Sequence, residues 1–170
     1  MAARLAERVP TRTTGRELDC GDADLVLLCV PDTAIAAVAA EIRPGPWVAH
    51  TSGATPLAAL EPHERRFSVH PLQTFSLDLG PEQLDGAWAA VTGENEEALA
   101  AGRELAGLLG LEPFDLDDDE RPVYHAAAAF ASSFLVTLHE VAAELMEAAG
   151  APAAALEPLM RRTMDNGFDH

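Results

Sequence analysis

Residues 22–31, DADLVLLCVP, form an almost unbroken apolar run with a turn signal at either end. A strand that faces water on one side alternates apolar with polar residues. A run without alternation reads instead as a strand buried on both faces, as in a parallel sheet. Such a strand needs a layer over each face, and the crossovers of a parallel sheet supply those layers as helices. The residues that follow fit. Asp32 is placed to N-cap a helix in which Ile35, Val38 and Ile42 recur at helical spacing, and Pro44-Gly45-Pro46 ends it.

The pattern then repeats. Residues 2–8 read as the end of a helix, 47–51 as a short strand, Ser52-Gly53 as a turn, and Thr55-Pro56 as the N-cap and first residue of a helix over 57–61. Residues 67–70 form another strand that runs into irregular 71–75, and 87–92 form a fourth. A helix over 94–109 has acids in its first turn and Gly110 just past its end, before a last strand at 112–116. From Arg121 the grammar changes. Pro122 opens a segment without a breaker until Gly150, a helix of roughly 40 Å if continuous. Its middle, 126–138, is apolar or small on nearly every side, so it needs cover from the sheet domain, later helices or a second subunit. A further helix spans 152–164. The expected fold is therefore α/β over 1–116, a parallel sheet, followed by an all-α C-terminal domain over 117–170.

Composition excludes several partners. The 170 residues carry 11 Lys and Arg, all of them Arg, against 28 acids, for a net charge of -17, so nucleic acid would be repelled wherever it approached. No strictly apolar run reaches the roughly 20 residues that cross a bilayer, and the first ten residues lack the apolar stretch of a signal peptide. We therefore expect no membrane partner and a cytoplasmic protein, with Cys20 and Cys29 as free thiols. The Ala-rich, Lys-free composition also fits a GC-rich genome, and the acidity fits a solubility adaptation, so charge does not identify the function.

Ligands of an open parallel sheet bind beyond the carboxyl ends of its strands. Three loops qualify: Val30-Pro31-Asp32-Thr33, His50-Thr51-Ser52-Gly53-Ala54 and His70-Pro71-Leu72-Gln73-Thr74-Phe75. The first also reads as a strand end with an N-cap, and the second as a plain turn. The third holds an imidazole, an amide and a hydroxyl within five residues, more polar functionality than a turn needs. His125 opens the long helix beside Tyr124, with Ser132 and Ser133 two turns along the same face. That stripe is either structural or the wall of a substrate pocket. Asp117-Asp118-Asp119-Glu120 reads as the solvated first turn of a helix, and no metal site is expected. Ser52 lacks the first glycine of a G-x-S-x-G elbow, which weakens a serine hydrolase reading.

The motifs ADLVLLCVPD, WVAHTSGA, VHPLQTF, GAWAAVTG and RPVYHAAAAFASSFLVTL, in this order over about residues 3–166, resemble bacterial Rossmann-like proteins that carry a C-terminal domain of unknown function 2520. That family is similar to pyrroline-5-carboxylate reductase, ketopantoate reductase and the 6-phosphogluconate dehydrogenase group. The resemblance implies NADP or NAD as cofactor, a small imine, keto or hydroxy substrate, and a homodimer through the helical domain. By the same resemblance Val30, Pro31 and Asp32 border the ribose and phosphates, and Thr51, Ser52 and Gly53 approach the nicotinamide. His70 and His125 are the candidate catalytic residues, and Gln73, Thr74 and Ser133 contact substrate. Ser133 stands where relatives commonly have Asn. The chain holds no G-x-G-x-x-G turn, so weak dinucleotide binding is expected. The resemblance also makes the chain look like a fragment cut at both ends. The rival expectation is a non-catalytic dimeric scaffold that keeps the fold.

Overall fold

A computed structural model of the chain describes residues 1–15, 20–76 and 78–168. The chain divides into two compact units, Met1–His125 and Ala126–His170, a boundary somewhat beyond the 116/117 division drawn from the sequence.

The first unit is a five-stranded sheet between helices. It runs α1 (Ala2–Ala6), β1 (Leu25–Leu28), α2 (Ile35–Glu41), β2 (Trp47–His50), β3 (Arg66–Pro71), β4 (Trp88–Gly93), α3 (Glu96–Leu109) and β5 (Glu112–Asp115). The strands lie in the order β1-β2-β3-β4-β5. β1, β2 and β3 are parallel, as the unbroken apolar run requires, but β4 is antiparallel to β3. Among the described residues the connection holds a 3₁₀ turn at Pro81–Leu84, and β4 returns alongside β3. β5 then pairs parallel to β4 through α3.

Two cores cover the two faces. Ala49, Phe67, Val69 and Val91 pack with Leu105, Ala106 and Leu109 of α3, while Leu28 and Val48 pack with Ile35 and Ala39 of α2 and with Leu57 and Leu60. α3 is stabilised at both ends. Asn95 accepts the Ala98 N–H at 2.9 Å, and Gly110 closes the helix in a left-handed conformation at φ 86° that suits glycine.

Two local expectations change. Asp32 does not N-cap α2: it opens a 3₁₀ turn (Asp32–Ala34) whose N-cap is Pro31, and its carboxylate is used elsewhere. The helix expected over 57–61 is a 3₁₀ turn, Leu57–Leu60, behind Pro56 rather than Thr55.

α4 (Arg121–Ala131) and α5 (Ser133–Ala148) replace the single long helix. The break is at Ser132, whose φ of -127° and ψ of -81° leave the helical region. Its hydroxyl donates to the Ala128 carbonyl at 2.7 Å, a back-bond of the kind that bends helices. The stretch Asp118–Ala148 is nonetheless long and apolar enough, by length and composition, to cross a membrane, contrary to the expectation that no apolar run reaches that length. The second unit continues α5 through Gly150, at φ 74°, into α6 (Leu156–Phe168). Four apolar side chains of α5, Phe134, Leu138, Val141 and Leu145, are exposed.

Candidate functional site

β1, β2 and β3 end side by side, each followed by a loop. Register decides which side chains meet there. Leu28, His50, Ser68 and Thr92 occupy one cross-strand row, so they share a face of the sheet. His70 stands one pleat further along the same face, opposite Ala90. The polar members of the row, His50, Ser68 and Thr92, are all buried.

Buried polar groups need partners, and the beginning of α4 delivers the main one. Arg121 is only 1% exposed. Its Nη1 donates to the Ser52 carbonyl at 3.0 Å, its Nη2 to the Ser68 hydroxyl, and its Nε to Asp118 Oδ1 at 2.6 Å. Burial lowers the Arg121 pKa, opposed by the Asp118 carboxylate, and a guanidinium keeps its charge even so. Asp118 also accepts the Leu57 N–H on both oxygens at 3.1 Å. The carboxylate expected in a solvated first turn thus caps another turn far away in sequence.

The β2 loop is fixed from two further sides. Ser52 donates its hydroxyl to Asp32 Oδ2 at 2.8 Å and accepts the N–H groups of Ala54 and Thr55 at 3.2 and 3.0 Å. Its backbone N–H donates to His50 Nδ1 at 3.2 Å. A neutral His50 therefore carries its hydrogen on Nε2, which has no hydrogen-bond partner among the described residues, like Thr92 Oγ1. Burial first, then the Arg121 charge, lower the His50 pKa to about 4.

This frame sets two imidazoles over Gly53. A Cβ on that residue would stand 2.6 Å from His125 Nδ1 and 2.8 Å from both Cε1 and Nε2 of His70. Only glycine admits both rings there. The ring centroids of His70 and His125 are 5.9 Å apart in an edge arrangement. His70 Nδ1 is hydrogen-bonded to the Tyr124 hydroxyl at 2.7 Å, and the Tyr124 ring is wedged edge-on against His70 and Phe114, at 5.5 and 6.0 Å. Burial, then His125, then Arg121 lower the His70 pKa to about 4, so its ring is neutral at neutral pH. Burial pushes Tyr124 up to about 12. His125 is exposed. A neutral, sheltered imidazole beside an open one can hydrogen-bond a reacting heteroatom and exchange a proton with it.

Of the residues singled out from sequence, Asp32, Ser52, Gly53, His70 and His125 are brought together. Val30, Pro31 and Thr51 lie at the adjoining strand ends and are exposed or half-buried. Gln73 serves its own loop, donating to the Gln83 carbonyl at 3.0 Å and accepting the Thr74 N–H at 2.9 Å; Thr74 is exposed. Ser133 opens α5 in the second unit. Sequence reasoning missed His50, Asp118 and Arg121. A lone arginine at the head of an otherwise uncharged helix was the available signal. A hollow of about 540 Å³ at the opposite end of β3, lined by Glu61, His63, Glu64, Arg66, Glu94 and Asn95, lies away from this cluster. Its Arg66 is already paired with Glu94.

Residues 2–74 match the Rossmann-like domain and residues 87–170 match the Domain of unknown function DUF2520. No curated protein sequence matches the chain. Among solved structures, a proposed NADP oxidoreductase from Bacteroides fragilis, BF3122, is 23% identical with a TM-score of 0.72, over 87% of this chain and 59% of that one. Protein TM1727 from Thermotoga maritima is 27% identical with a TM-score of 0.72, over 86% of this chain and 58% of that one. A semialdehyde dehydrogenase NAD-binding protein from Cupriavidus necator, in complex with calcium and NAD, is 22% identical with a TM-score of 0.67, over 99% of this chain and 70% of that one. The chain spans under three fifths of the length of the first two of these structures.

His50 gives the site a pH signature. Between its unfolded value of 6.5 and about 4, the unfolded chain takes up a proton that the fold refuses. Stability present above pH 6.5 is therefore lost as pH falls toward 4, by on the order of 3 kcal/mol for this residue. Urea unfolding at pH 7 and pH 4 should show a smaller drop for His50→Asn than for the wild type. An identical drop would contradict the assignment.

Proposed function

We propose that this chain, a Rossmann-like segment joined to a DUF2520 segment, is an NAD(P)-dependent oxidoreductase-like protein acting on a small imine, keto or hydroxy compound. The observation that carries this reading is the convergence of His70 and His125 over Gly53 at the carboxyl ends of three parallel strands, where the ligands of such sheets bind. NADP or NAD, when bound, supplies or accepts the hydride. Reduction at a C=O or C=N carbon leaves a basic heteroatom that needs a proton, and oxidation needs that proton removed. His125, open to solvent, takes the acid–base role. His70, neutral and sheltered, hydrogen-bonds the reacting heteroatom. Gln73 and Thr74, on the loop after β3, belong to the substrate side in this reading.

The donor set fits one end of a nicotinamide cofactor. Val30, Pro31 and Thr51 offer uncharged surface, and Asp32, with one oxygen held by Ser52, keeps a second that can accept ribose hydroxyls. The set does not fit a diphosphate. Residues 29–33, 51–55 and 72–76 contain no basic side chain, and the guanidinium of Arg121 is already spent on three partners. Charge-assisted bonds are the strong ones. NADPH titrated into the 170-residue chain should therefore bind more weakly than micromolar by fluorescence. At saturating NADPH, turnover against a panel of small ketones, hydroxy acids and cyclic imines should fall at least ~100-fold in His125→Ala. Unchanged turnover in a folded variant would contradict the catalytic assignment.

The same reading includes a homodimer through the helical unit. Phe134, Leu138, Val141 and Leu145 recur at i, i+4, i+7 and i+11, so they form one stripe along α5, and all four are exposed. The Phe130 and Phe134 rings stack at 4.7 Å beside it. An apolar stripe of this kind is the surface that a second copy covers. Free thiols at Cys20 and Cys29 support a cytoplasmic setting. Sedimentation should find a dimer at micromolar concentration and a helical monomer for Leu138→Glu with Leu145→Glu. A wild-type monomer would contradict the dimer.

A further inference from the structure

Resting on the acid–base reading above, we propose that Tyr124 is a positioning residue. Its hydroxyl donates to Nδ1 of His70 and holds that ring's hydrogen on Nε2, over Gly53. The site is thereby fitted to an uncharged oxygen acceptor, a ketone or the alcohol it becomes, rather than to a protonated imine.

The O···N contact of 2.7 Å admits two arrangements, phenol to imidazole or imidazole to phenol. Three considerations select the first. Burial holds the Tyr124 phenol protonated, at about 12, so it has a hydrogen to give. The His70 ring, lowered to about 4, is neutral at pH 7.5 and has one N–H and one lone pair. Between the two possible acceptors, the imidazole lone pair is the stronger base, because the phenol oxygen shares its electrons with its ring. The phenol is also held in place, since its ring packs edge-on against both Phe114 and His70. With the lone pair engaged at Nδ1, the hydrogen of His70 has only Nε2 to occupy.

That Nε2 and His125 Nδ1 lie 2.8 and 2.6 Å from where a Gly53 Cβ would be, so the two nitrogens are near neighbours over the glycine. A ligand oxygen that reaches the two rings accepts from His70 Nε2–H. When it is a hydroxyl, it has a hydrogen to return to His125 Nδ1. A protonated imine carries N–H and no lone pair, and would meet the His70 hydrogen with its own.

The nitrogen-detected NMR spectrum of the histidine rings tests this on the full chain without cofactor or turnover, so its failure and the failure of the redox reading are separable. At pH 7.5 the wild type should show His70 as the Nε2–H tautomer. An Nδ1–H tautomer or an imidazolium overturns the proposal. Tyr124→Phe should lose the single tautomer, and an unchanged His70 spectrum in that variant overturns it too. Tyr124 is the one tyrosine in the sequence, so biosynthetic 3-fluorotyrosine labels it alone and makes the phenol a stronger donor. If Tyr124→Phe does not fold, this label reads the same contact: the His70 Nδ1 resonance should shift, and no shift overturns the donation. Cyclopentanone and pyrrolidinium, one ring size with and without an acceptor oxygen, read the ligand class. Perturbation of His70 Nε2–H by the ketone alone is expected, and perturbation by the cation or by neither overturns the preference for oxygen.

Discussion

A single buried guanidinium joins the parts of this site. Arg121 reaches from the head of α4 to the loop after β2, to Ser68 of β3, and to Asp118, which itself caps the turn behind β2. Charge is costly to bury unless every donor is used, and the cost makes the arrangement specific. If α4 began a turn earlier or later, its arginine would lose these partners and the buried Ser68 hydroxyl would lose its donor. Asp118 is half-buried, so removing one partner of this ion pair costs at most the roughly 3–5 kcal/mol of a fully buried one, still a large share of the stability of a domain this size. The catalytic candidates follow from this anchor: once Arg121 is fixed, Tyr124 and His125 fall on the next turn of α4, facing His70.

The elements that depend on local chemistry were legible in the sequence. The run at Leu25–Leu28, the Pro-Gly stop after α2, and the Asn95 and Gly110 ends of α3 each carry their own signal. So did three of the loops that carry the site, because strand ends and polar clusters are both visible along the chain. What sequence could not show depends on distance. Asp118 caps Leu57 across 61 positions, and nothing near Asp118 distinguishes it from its acidic neighbours. Asp32 looked like an N-cap because Asp before a helix usually is one, yet the hydroxyl of Ser52, twenty positions on, captured the carboxylate. The reversal of β4 was not readable, since residues 51–65 carry a parallel crossover with no more than a 3₁₀ turn and residues 72–87, of similar length, carry an antiparallel return. Nor was the break at Ser132, for it has neither Gly nor Pro to announce it.

The two histidines divide the proposed labour by environment rather than by type. His70 is sheltered and kept neutral; His125 is open. Gly53 allows the pair to meet at the backbone, and the absence of a side chain there is as much part of the site as the rings are. The acidic surface suits a small uncharged substrate better than an anionic one, and the loops present acceptors rather than cations toward a ribose. The exposed stripe on α5 belongs to the second unit and to a different problem, the association of copies.

The site exists only if Arg121 holds His70 and His125 together. Nuclear Overhauser contacts between their ring protons measure this directly. They should be strong in the wild type and absent in a folded Arg121→Gln variant. Contacts that survive the substitution undiminished, or that are missing from the wild type, would contradict it.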